Sequence, residues 1–116
     1  MIRIVILVEG LNKIRDLINT NLTKGQNGTG TSTANSEDTG LETAVGATLK
    51  TLTNNVSDRL LTTSHSLNTT EGNGLSFTEF ENQFSTGESL TRLRHTAISK
   101  DNVKELRFIT TFEIGD

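Results

Sequence analysis

Few side chains in this 116-residue chain are equipped for catalysis. His65 and His95 are its two histidines, and it has no Cys. His65 lies in the run Thr62-Thr63-Ser64-His65-Ser66, with no neighbouring carboxylate to orient its ring toward a nucleophile. A hydrogen-bonded strand histidine is the stronger reading, and the same holds for His95, which follows Arg92 and Arg94. Glu79 and Glu81 flank Phe80 and would share one face of a strand. Two carboxylates on one face are the raw material of a glycosidase. The competing reading pairs Glu79 with Arg92 or Arg94 on the next strand. Glu37, Asp38 and Glu42 lie close in sequence but lack the alternating ligands and closing Glu of an EF-hand loop. Gly25, Gly28 and Gly30 do not make a GxGxxG turn that opens a helix after a strand. The expectation is a chain that is not an enzyme, with no catalytic residue, metal ligand or cofactor.

Composition points the same way. Apolar residues are 32% of the chain, and five Phe are its only aromatic residues. The usual apolar share is about 45–50%, counting Gly. Thr (20) and Ser (9) fill the gap. Thr is a good strand former, so such a chain can fold, but it has little apolar surface to bury and invites partners. Net charge is −3, with no basic stripe to follow a phosphate backbone, so nucleic acid is not an expected partner. The apolar stretch Ile4–Val8 is too short for a signal peptide and runs into Glu9. No stretch is long enough for a membrane span.

Three regions are expected to carry these residues. The first is an N-terminal helical oligomerisation segment over 1–23. Ile4, Leu7, Leu11, Ile14 and Ile18 are spaced 3, 4, 3 and 4 apart, the rhythm of a coiled-coil seam. They are the predicted oligomer interface, with packing on the chain's own sheet as the equal alternative. The helix begins near Ile4, or a short strand precedes a helix from Glu9, because residues 2–8 are rich in β-branched types. The second region, 24–40, is full of Gly, Ser, Thr and Asn and reads as an extended polar loop or arm. The third, 41–116, is a β-sandwich domain. Leu106, Phe108, Thr110, Phe112 and Ile114 share one face and Arg107, Ile109, Thr111 and Glu113 the other, and Leu61, Thr63, His65 and Leu67 share a face. Turns at 71–74, 85–88 and 100–102 separate the strands. The fold class is mainly β with an N-terminal helix, an antiparallel sandwich of jelly-roll type. Sequons at Asn21, Asn27, Asn55 and Asn68 barely exceed chance in so Asn-, Ser- and Thr-rich a chain.

The order of features resembles a family of small virion structural proteins of tailed phages and archaeal viruses, related to tail-fibre or tail-collar proteins. The run Gly10-Leu11-Asn12-Lys13-Ile14-Arg15-Asp16-Leu17-Ile18 is similar to the family's GLNxIRDxI start. Gly28–Thr31 resembles its GTGTT turn, and Ser36–Val45 its SDTxLxxEV stretch. Gly74–Phe80 and Leu90–Arg94 are similar to its TEAGLF and LLxR stretches, and the alternating strand Leu106–Ile114 closes both. The chain departs in lacking the proline after the GTGT turn and in having Glu81 where the family has glycine. The resemblance implies a non-enzymatic virion structural protein, such as a tail, fibre-base or capsid-decoration subunit. It would be made in the host cytoplasm and end in the extracellular particle. Its expected partners are itself, as a homo-oligomer taken to be a trimer, and other virion proteins. The alternative is a surface carbohydrate- or receptor-binding module with host-surface glycans as ligand.

Overall fold

The computed structural model describes residues 2–115. It is mainly β with one N-terminal helix and two antiparallel sheets. Helix α1 spans Val8–Asn21. It begins later than Ile4 because residues 2–7 stay outside any helix or strand, with Leu7 extended at φ −76, ψ 154 as the N-cap. Glu9 in the first turn complements the positive end of the helix dipole. The helix passes directly into strand β1 (Leu22–Gly28), and Leu22, fully buried, pins that junction.

Strand β1 takes up residues 24–28, which the sequence assigns to the polar loop, so the sandwich starts near residue 22 rather than 41. Its composition is poor for a strand, yet it lies inside the first sheet, in the order β2 (Lys50–Thr51), β1, β5 (Ser76–Phe84), β6 (Ser89–Ser99). Tertiary packing overrides propensity here. A Cβ on Gly25 would come 2.9 Å from the His65 ring and 3.1 Å from Phe80, so only a glycine lets the two sheets approach there. The second sheet has the order β3 (Thr53–Ser57), β4 (Leu60–Leu67), β7 (Leu106–Glu113). Buried Leu52 lies between β2 and β3, where the chain passes from one sheet to the other. The described strands number seven, short of the eight of a jelly roll. The architecture is therefore an antiparallel β-sandwich.

The interior is small. Among the described residues the buried apolar ones are Leu22, Leu52, Leu61, Leu67, Phe77 and Phe80, fewer than the ten buried polar ones. Phe80 stacks on Phe108 at 4.7 Å and 6°, and His65 meets Phe80 edge-on at 5.2 Å. Asn82 ties the sheets together. It accepts from the Thr63 hydroxyl (3.1 Å) and donates to the hydroxyls of Thr91 (3.0 Å) and Thr110 (3.2 Å). These bonds satisfy buried polar groups that would otherwise be costly.

His65 is buried as a core residue. Its Nε2 lies 2.8 Å from the Thr48 carbonyl, which can only accept, so the proton sits on Nε2. Burial pushes its pKa below the ordinary value, against the opposing pull of that carbonyl. The unfolded chain then binds this proton more readily than the folded one. Stability from this site is complete above the unfolded pKa of about 6.5 and falls as pH drops from there through the folded pKa. A chemical-shift titration should show the His65 ring protonating below about 6.5, with unfolding free energy declining over the same window. Protonation of the folded ring at or above that value would contradict this account.

Candidate functional site

The densest polar constellation is a clasp on the outer face of the first sheet. Glu79 and Glu81 do share a face of β5, as the alternation predicts; both oxygens of Glu79 are engaged, whereas Glu81 Oε2 is buried without a hydrogen-bond partner. Residues 29–45 leave β1, cross this face as a strap, and return. Thr29 N–H donates to Thr43 O (2.9 Å) and Val45 N–H to Asn27 O (2.9 Å), closing the base of the strap beside β1. Glu79, fully buried, holds its underside. Its Oε1 accepts from Glu42 N–H (3.0 Å) and Arg92 Nε (2.9 Å). Its Oε2 accepts from Gly30 N–H (2.8 Å) and Thr43 N–H (2.9 Å).

Burial alone pushes the Glu79 carboxyl up. The Thr43 and Glu42 amides, Arg92 and the Gly30 amide outweigh it and hold the pKa below the usual carboxylate range. An ionised, buried carboxylate with four donors is neither a proton donor nor a free nucleophile. Gly28 is required beside it, because a Cβ there would come 2.5 Å from Glu79 Oε2 and 2.6 Å from Thr43 O.

The strap is also held from above and from the side. Arg92 reaches Asp38 (3.0 Å) and Ser32 O (3.0 Å), and Arg94 Nε donates to Thr31 O (3.1 Å). Glu42 accepts from the amides of Thr31 (2.8 Å) and Ser32 (3.2 Å); the Ser32 side chain and these amides lower its pKa. Glu81 lies under the strap, 2% exposed, and accepts from Gln83 Nε2 at 2.6 Å. A polar cleft of about 380 Å³ remains between the strap and β6, bordered by Asn35, Asp38, Thr91 and Arg92. Among the described residues no group of three or more His, Cys, Asp or Glu is placed to hold a metal ion.

The sequence offers Arg92 or Arg94 as the partner of Glu79, and the structure pairs it with Arg92. Sequence reasoning rejects Asp38 and Glu42 as EF-hand ligands, and misses that both fasten the strap. Their only sequence signal is acidity, which does not name a partner. All five Phe lie in β5 and β7, with none fully exposed, so no loop presents an aromatic face for a sugar ring. Of the sequons, Asn27 is fully buried inside β1.

In the single chain the five predicted interface residues lie in different surroundings. Ile4 and Leu7 precede the helix and are 87% and 69% exposed. Leu11 is half-buried beside Gly115, Ile14 is exposed, and Ile18 packs against the core of Leu22, Leu52 and Leu61. No residue of α1 is fully buried. The stripe thus divides between the chain's own core and the surface. No helix of the described residues is long and apolar enough to cross a membrane. In comparisons with known proteins the chain matches no family model, no curated protein and no solved structure.

Proposed function

We propose that this chain is a non-enzymatic, self-assembling structural subunit of a virus particle, of the tail, fibre-base or decoration kind. The observation that carries the self-assembly is the segment before the helix together with the helix's first residue. Ile2, Ile4, Val5, Ile6, Leu7 and Val8 are each 59–93% exposed in the single chain. Contiguous exposed apolar surface of this kind marks an interaction site. Burying one such side chain is worth about 1.5–3 kcal/mol, so six of them rival the ~4–15 kcal/mol of freedom lost on association. The small core argues in the same direction, since a chain with little of its own apolar surface to bury gains most from a neighbour. The clasp fits this role as well. It makes a long polar strap rigid through ionic and amide contacts, as a surface that must dock repeatedly in one shape requires. The placement in a virus particle rests on the resemblance of residues 10–18, 28–45 and 74–94 to small virion proteins.

The test is co-purification. Nuclease-resistant particles from the source organism are banded by density, and the chain is quantified by mass spectrometry. It should band with the particles at many copies each. Recovery solely from the unbanded soluble fraction, beside banded particle proteins, would refute the particle assignment.

A further inference from the structure

We infer that residues 2–7 of one copy add as a β-strand to the free edge of β7 in a second copy. This identifies the surface used by the self-assembly reading above and rests on it. The donor is short, rich in Ile and Val, already extended at Leu7, and without a partner strand in its own chain. Such segments gain main-chain hydrogen bonds by joining a sheet edge.

The acceptor is chosen by comparing the sheet edges. β2 has two residues. β6 shows two register irregularities against β5, and its arginines are engaged by the strap. β3 has five residues. β7 pairs with β4 over eight residues in unbroken register, from Leu60↔Glu113 to Leu67↔Leu106. It contains no Pro, Gly or Lys, and its two charged residues, Arg107 and Glu113, lie toward its ends, leaving 108–112 uncharged along the edge. The flank beside it is also open. Leu93 pairs with Phe80 and so faces the interior, yet is 52% exposed. Phe108 and Phe112 of β7 are half-buried. One further apolar strand along β7 would cover that gap.

The chain's own segment is poorly placed to do this. Leu11 lies beside Gly115, just past the end of β7, so a segment leading into α1 there would run parallel to its own β7. Every ladder in this protein is antiparallel, and a second copy can present β7 in that sense. The long dimension of 56 Å, twice the other two (28 and 24 Å), accords with an N-terminal end held away from its own sandwich.

The absence of Cys makes the test clean. Full-length Ile4→Cys and Val5→Cys chains, one of which must share a face with Ile109, are mixed with Ile109→Cys chains and oxidised. Mixing with Val56→Cys, on the opposite edge of the same sheet, is the control. Adjacent thiols held in an assembly have a high effective concentration, so the Ile109 mixture should give about tenfold more heterodimeric disulfide than the control. Deleting residues 2–7 should abolish the oligomer while leaving the melting temperature of the monomer unchanged. Light scattering on the same samples separates the outcomes. An oligomer that survives the deletion, with Ile109 cross-linking no better than Val56, overturns the strand addition and leaves self-assembly standing. A monomer at every concentration overturns both.

Discussion

Glu79→Ala should be the most damaging single substitution outside the apolar core. It removes the acceptor for three backbone amides, from Gly30, Glu42 and Thr43, and for Arg92 Nε. The Arg92 side chain is only 5% exposed, so it is left as a buried cation with Asp38 as its remaining ionic partner. Breaking one side of a buried pair costs about 3–5 kcal/mol, a large share of the ~5–15 kcal/mol total stability of a small domain. Chemical denaturation should show the loss, and amide exchange should show the strap amides of residues 29–45 losing protection before the sheets do. Glu79→Gln should recover only part of the stability, because its amide nitrogen would face donors that now meet a carboxylate oxygen. If Glu79→Ala unfolds at the wild-type denaturant midpoint, the clasp is not what holds the strap.

Phe80→Ala should cost about as much, roughly 3–5 kcal/mol, through a different mechanism. Phe80 is 2% exposed and joins the sheets by stacking on Phe108 and meeting His65 edge-on. Its ring also lies over Gly25, where the backbone is closest. Removing it opens a cavity bordered by a glycine and an imidazole, neither of which can swing in to fill it. With six buried apolar residues in the described chain, few others can compensate. The midpoint of denaturation measures this directly. A loss below about 1 kcal/mol would mean that the sheets re-pack freely around the gap.

Alternation made β4 and β7 legible, because each buries one face and exposes the other. Leu61, Thr63, His65 and Leu67 are buried in β4, and the inward residues of β7 follow the same period. Glu79 was readable as a partner of Arg92 or Arg94 because neighbouring strands bring opposite charges together; register places Arg94 opposite it, and the ion pair forms with Arg92 on the diagonal. Strand β1 was not readable. Its residues 24–28 carry no apolar side chain, and their burial comes from the strap on one side and from close sheet packing on the other. Both causes are distant in sequence. The rhythm of Ile4 to Ile18 left the helix start open between Ile4 and Glu9, and the helix begins beside the second. Periodicity marks a face but does not fix where the helix begins, and extended Leu7 sets that limit at Val8. The β-branched run of residues 2–7 was the competing signal, and the helix leaves that run unpaired.

Self-association is the claim on which the rest depends. The most direct measurement is light scattering coupled to size exclusion on the full chain over a wide concentration series. The account predicts a defined oligomer whose mass is an integer multiple of the 12.6 kDa chain and holds across micromolar concentrations. A mass of one chain at every concentration, with residues 2–8 exposed as they are here, would contradict it.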